Sequence, residues 1–416
     1  MRKLRYCVAH TLTGRYVFNF MELILIEKLI KEIRDVKLEV NSLLSKKKKY
    51  TCCHPECNEK SILSHSISKS TLKLISREHH VKFPKFNRAK FGLRELENKS
   101  INLCLDDISI ELAGTFKGFC SLHDNDIFEN IDNRGIKTQR DIFLQIYRTA
   151  QKFLFTDLVN SKAELKILGY EYHSNSEFEE SIYINLEKII CLCEDLLVDF
   201  PELDSPIDIR NTETLFVKPF SEKVSLEVEV IYKRINTVFP VALQNCLTLN
   251  FEGKFSKSIV VILPDIESTN IIILCPINIT PQYSSCLNSE IKILNFIESI
   301  LMLDSDFYLD KTVVDNWSED KLSKITNDYY FFDERSFLEE YDISIFDDLR
   351  KKICLSLPEK ERVIELEKIY SLPNRDSLEK RHNSQMLGSI KDRQKKLLHT
   401  GNVSNVCYPI GSLRVL

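Results

Sequence analysis

Apolar residues recur three and four apart in some stretches of this chain and two apart in others, and the change of period divides it into segments. From Phe20 to Leu44 the residues Leu23, Ile26, Ile30, Ile33 and Val40 keep helical spacing with charges between them, until KKKK at 46–49 ends the pattern. This predicts an amphipathic helix and a basic linker over 1–50. Little pattern precedes Met21, which stands as an alternative start to Met1. Residues 51–135 gather cysteines and histidines, interrupted at 79–94 by HHVKFPKFNRAKFGLR, which reads as an insertion or a long hairpin. Over 136–204 the stretches IFLQIYRTAQKFLFTDLV and FEESIYINLEKIICLCEDLLVDF are helical, and Pro201 stops the second. From 213 the period becomes two in VSLEVEVIYKRI, followed by the β-branched runs SIVVILP and NIIILCPINI. A mixed or antiparallel sheet is expected over 213–280. After Pro281 helix returns in IKILNFIESILML and in acidic pieces to about 370, so that 205–372 reads as α+β, and 373–416 is a basic, polar tail. The fold class expected is α+β and multidomain, with an N-terminal helix, a metal-binding module, a helical segment, a mostly antiparallel sheet and C-terminal helices.

Composition narrows the setting. With 416 residues, 43% hydrophobic and 28% charged, the chain has ample material for more than one core. No apolar run approaches the roughly 20 residues of a membrane span, and His10 and Arg15 interrupt the N-terminus where a signal peptide needs an apolar centre, so no membrane and a cytoplasmic location are expected. Thirteen cysteines, an odd number unevenly spread, argue for reduced thiols rather than a disulfide framework. Charge is uneven too: the first 100 residues hold 22 Lys+Arg against 10 Asp+Glu, whereas 101–370 are strongly acidic. The basic end suits a polyanion such as nucleic acid, and the acidic half suits a protein partner or a solvated face.

Candidate chemistry concentrates in TCCHPECNEKSILSHSISKS, residues 51–70. Cys53 and Cys57 flank a turn containing Pro55, a spacing that lets two thiolates reach one tetrahedral ion, with Cys52 and His54 as rival ligands. A second pair, Cys120 and His123 in GFCSLHDNDIF, shares one face of the first turn of a helix running through Ile127 and Phe128. Cys53, Cys57, Cys120 and His123 would close a tetrahedral site for a structural Zn2+, and a knuckle followed by a helix-borne pair is the arrangement of a treble clef.

With the strand ILSHSI ending near His65, this order of knuckle, strand and ligand-bearing helix resembles the HNH endonuclease superfamily of ββα-metal nucleases over about 51–130. The resemblance implies metal-dependent phosphodiester hydrolysis with a catalytic Mg2+ or Mn2+. It makes His65 the general base, Asp124 the helix residue that binds the catalytic ion and Asn125 an orienting group. It also implies a place in bacterial defence against phage, with DNA ahead of RNA as substrate. The sequence departs from that pattern in the long gap between His65 and Cys120, in Asp rather than His at 124, and in having no second histidine after it. A core histidine or a zinc ligand remain open readings of His65, and a non-catalytic zinc-stabilised binding module remains the alternative function.

Lys69, Lys82, Lys85, Arg88, Lys90 and Arg94, with Phe83, Phe86 and Phe91 between them, form a candidate surface for phosphates and bases; phenylalanines entering the core are the other reading. The chain contains no GxxxxGK[ST], GxGxxG, GxSxG or HExxH, so nucleotide-loop, Rossmann, serine-hydrolase and zincin chemistries lack their defining parts.

Overall fold

The computed structural model describes residues 20–45, 47–86, 103–168, 177–199, 201–208, 210–251, 254–378, 380–381 and 384–385. Among these it is a mixed α+β structure with eleven α-helices around one large antiparallel sheet of eight strands.

The sheet is built from β2 (His80–Phe86), β3 (Leu103–Ser109), β5 (Leu215–Val217), β6 (Val228–Ile235), β7 (Val241–Phe251), β8 (Lys254–Pro264), β9 (Thr269–Pro276) and β10 (Asp306–Leu309), in the order β3-β2-β10-β7-β8-β9-β6-β5. All its neighbours run antiparallel. The period-two pattern of the middle segment therefore folds as expected. The central strands also explain their nearly continuous apolar runs, because each contributes to a separate core on each face. Val228, Val230, Tyr232, Ile259, Val261, Ile272 and Leu274 face one core. Ile231, Ile235, Val260, Ile262, Ile271 and Ile273 face the other.

The first core is covered by α1 (Phe20–Leu43), α4 (Gln139–Leu168) and α5 (Glu177–Asp199). Helix α1 contributes Val36, Val40 and Leu43, and α5 contributes Leu186, Ile189 and Leu196. Within α5 Cys193 is buried and Cys191 exposed, as two positions two apart on a helix require. The second core is covered by α6 (Thr280–Cys286), α7 (Glu290–Leu301), α8 (Lys311–Asp315), α9 (Glu319–Tyr330) and α10 (Asp347–Cys354). Helix α7 is buried from Ile293 to Leu301, and α11 (Glu359–Tyr370) lies outside it with Val363 and Ile364 exposed. Among the described residues no helix is long and apolar enough to cross a membrane.

A small second sheet joins β1 (Ser64–His65) to β4 (Thr115–Phe116), with α2 (Lys69–Leu74) and the β2–β3 hairpin between them and α3 (Ser121–Arg134) after them. Of the interruption at 79–94, the described part forms β2, which pairs antiparallel with β3 and with β10 through Lys82 and Leu309; 87–94 lie outside the described residues. Strands from 51–135 and from 205–372 share one sheet.

Candidate metal centre and its surroundings

The knuckle begins as an extended segment in which Tyr50 and Cys52 alternate into the core, Cys52 N–H donating to Glu59 O at 2.8 Å. The turn closes through Cys57 N–H to His54 O at 3.2 Å, with Glu56 at a positive φ of 60°. Gly118, two residues before Cys120, accepts from Cys53 N–H at 2.8 Å and so ties the knuckle to the approach to α3. A Cβ on Gly118 would meet the Phe116 ring at 2.5 Å, which is why a residue without a side chain sits at this approach.

These constraints bring together Cys52, Cys57, Cys120 and His123, whose ligand atoms all lie within 4.8 Å of one another. Cys52 Sγ is 3.5 Å and Cys120 Sγ 3.4 Å from His123 Nδ1. Cys57 Sγ and Cys120 Sγ are 4.0 Å apart. A tetrahedral zinc bonded at about 2.3 Å to sulfur and about 2.0 Å to nitrogen separates its ligand atoms by about 3.8 Å (S···S) and about 3.5 Å (S···N). The donor set and spacing fit such an ion: the group could hold a metal, compatible with a structural zinc. Cys52 Sγ accepts N–H bonds from Cys120 at 3.2 Å and His54 at 3.5 Å, the kind of bond that stabilises a thiolate.

Cys53, named from the sequence as a ligand, is not a member of this group; its neighbour Cys52 takes the place. Alternation along the extended segment is the reason, because it turns Cys52 inward with Tyr50 and Cys53 toward α4. Burial pushes the Cys53 thiol up to about 12, the behaviour of a packed thiol. Cys52 is also pushed up to about 12, by burial first, so a cation must displace its proton. Cys120 moves the other way, because N–H bonds from His123 and Leu122 and its thiol neighbours outweigh burial. Burial holds His123 low, hence neutral, helped by the His54 ring stacked on it at 3.9 Å between centroids.

His65 ends β1 half-buried, with Nε2 at 3.0 Å from Ile110 O. A carbonyl accepts, so Nε2 carries the proton and Nδ1 keeps a lone pair in the neutral ring. Asp124 lies one turn into α3, within electrostatic reach of His65 and against Ser64 and Arg148. Its Oδ1 is buried without a hydrogen-bond partner, and burial raises its carboxyl above the ordinary carboxylate value. Arg148, 1% exposed, packs on the Phe128 ring and donates twice to Asp132 Oδ1 at 2.8–2.9 Å. Asn125 is exposed on α3. The Cys52 group is the one cluster of three or more metal-binding side chains among the described residues, so His65 and Asp124 do not belong to a second.

The lysines proposed for nucleic acid are engaged with carboxylates. Lys69 meets Glu111 at 2.8 Å, Lys82 meets Asp107 at 3.1 Å, and Lys85 pairs with Asp106. Phe83 packs against the first core. Arg88, Lys90, Phe91 and Arg94 lie outside the described residues. Sequence reasoning missed Ser64, Arg148 and Asp132, since nothing local in α4 marks Arg148 as reaching α3. Comparison with protein families, with curated proteins and with solved structures gives no match.

Proposed function

We propose that the chain is a nucleic-acid hydrolase built on a zinc-stabilised ββα module, with His65 as general base. The observation that carries the reading is a buried, unpartnered Asp124 oxygen within electrostatic reach of His65, which a backbone carbonyl fixes. Cys52, Cys57, Cys120 and His123 hold the structural zinc, whose binding free energy adds to the folding of the module. His65 Nδ1 takes the proton from the attacking water. Asp124 would hold a Mg2+ or Mn2+, which would stabilise the charge that develops on the phosphate.

The test is cleavage of single- and double-stranded DNA and of RNA with Mg2+ or Mn2+. His65→Ala should lose about a hundred- to ten-thousand-fold in rate with zinc content and melting temperature retained. Loss of zinc together with activity would make His65 a structural residue. A binding protein without catalysis is the second reading, favoured by the carboxylates on Lys69 of α2 and on Lys82 and Lys85 of β2, which leave these lysines less free for phosphates. In that reading the acidic half, with Leu355, Ile364 and Tyr370 exposed, meets a protein partner.

A further inference from the structure

A cavity of about 580 Å³ opens between the outer side of the knuckle and α4, and none of His65, Asp124 and Asn125 lines it. Its floor is apolar, from Leu154, Phe155 and Leu158 on successive turns of α4, with the Tyr50 ring set edge-on to Phe155 at 5.2 Å. Its walls are polar, from Thr51, His54, Glu56, Asn58, Lys117 and the Gln151 carboxamide, which is 5% exposed and also bonds the Tyr147 hydroxyl, and the zinc-ligand candidates Cys52 and Cys57 border it. Lys117 Nζ donates to Ser45 O at 2.7 Å and to Lys48 O, which spends two of its three protons and fixes the ammonium at the cavity edge.

Charge around this opening is mainly positive, although Glu56 is part of the lining. Lys48 and Lys49 lead into Tyr50, Lys60 sits opposite Thr51 on the returning arm of the knuckle and within electrostatic reach of Lys117, and all three are exposed. Among the described residues no carboxylate lies within ion-pair distance of Lys48, Lys49, Lys60 or Lys117. The acids of the same loop, Glu56 and Glu59, are exposed and only partly offset these four cations. The contrast with Lys69, Lys82 and Lys85, each held by a carboxylate, separates this edge of the module from α2 and β2.

A slot of small-molecule size, with apolar side chains of α4 on its floor, a carboxamide among its polar walls and exposed lysines in the segments that flank it, suits one kind of ligand: a flat ring to lie on the floor, polar edges to meet Gln151, and phosphate to meet the lysines. We propose that this cavity is a binding site for a nucleoside phosphate, either free or as one unit of a single strand. The ring seats against the half-buried Leu154 and Leu158, Gln151 meets its edge, and the phosphate lies toward Lys117, Lys49 and Lys60. Gln151 and the slot discriminate a base, while the lysines make binding salt-dependent.

Titration calorimetry on the full zinc-loaded chain tests this, using purine and pyrimidine 5′-mononucleotides, the matching nucleosides, inorganic phosphate and a short single-stranded oligonucleotide. Mononucleotides should bind more tightly than either nucleoside or phosphate alone. Leu158→Trp, which fills the slot, should weaken binding about tenfold or more. Lys49→Ala with Lys60→Ala, both exposed and harmless to folding, should flatten the dependence of log affinity on log salt by about one unit for each phosphate no longer held. An oligonucleotide that binds where mononucleotides do not identifies a strand unit, and equal binding of both identifies a free nucleotide. Failure of all nucleotides to bind, binding matched by inorganic phosphate, or binding untouched by both variants would overturn the proposal. His65→Ala should leave this binding unchanged, so loss of cleavage and loss of nucleotide binding report on different sites.

Discussion

Gln244, in the middle of β7, donates to Ser66 Oγ at 2.6 Å, so the centre of the large sheet holds the residue next to His65. The same amide nitrogen donates to Asp306 Oδ2 at 2.6 Å, and Gln244 Oε1 accepts from Thr149 Oγ1 at 3.2 Å. Ser66 Oγ passes the chain on to Gly114 O at 2.7 Å, and Gly114 N–H returns it to the Tyr308 hydroxyl at 2.7 Å. Gly114 stands at a φ of 67°, the left-handed region, which lets the turn before β4 present both its N–H and its C=O to this network. Gln244→Leu keeps the volume and strands several of these buried groups. Destabilisation of about 2–4 kcal/mol is expected in urea unfolding. A loss under about 0.5 kcal/mol would mean that water takes over these hydrogen bonds.

Adjacent cysteines provide the sharpest test of the metal centre. Cys52→Ser should lower zinc content below one equivalent, measured by elemental analysis, and release the module from its native packing. Cys53→Ser should keep the metal and cost about 1 kcal/mol or more, for placing a hydroxyl where a thiol is packed. Equal zinc loss in both variants would overturn the assignment of Cys52 over Cys53.

Asp306 provides a pH test. Burial works to raise its carboxyl, but Lys152, Gln244 and Tyr308 outweigh it and hold the carboxyl below its ordinary value of 3.8. The stabilisation is therefore complete above that value and is lost as pH falls below it. Asp306→Asn should cost about 3 kcal/mol at neutral pH, because Lys152 is left without its partner in a largely buried place. The gap between variant and parent in urea unfolding should narrow below about pH 4. A gap that stays constant with pH would show that the carboxylate charge is not what stabilises this joint.

Periodicity is a local signal, and what it reaches here is local. Helix α4 and helix α5, with the stop at Pro201, and the strands β6, β8 and β9 were legible because each buries a face its own sequence repeats. That the β2–β3 hairpin joins the same sheet was not, since the bridging strand β10 has four residues and lies more than two hundred positions away. The cysteine cluster was visible as composition. Which of two neighbouring thiols turns inward depends on where alternation starts, and Tyr50, buried two positions earlier, is the residue that sets it. Lys82 and Lys85 looked free in sequence because Asp107 and Asp106 come from the opposite strand.

Arg350 supplies the last test, on the far face of the sheet. It is fully buried between Glu298 and Glu365 and donates to Asn295 Oδ1 at 2.9 Å. Glu298 Oε1 accepts from Ile345 N–H at 2.9 Å and Phe346 N–H at 3.0 Å, so this carboxylate also caps the chain entering α10. Arg350→Met leaves Glu298 charged and buried, and a loss of about 3–5 kcal/mol is expected in urea unfolding. Adding Glu298→Gln removes the stranded charge while keeping an oxygen for Ile345 and Phe346, so the double variant should recover part of that loss. A double variant no more stable than Arg350→Met would place the cost in packing around the guanidinium rather than in the charge it leaves behind. Zinc content should stay at that of the parent in both variants wherever the chain remains folded, because the Cys52 group packs on the opposite core.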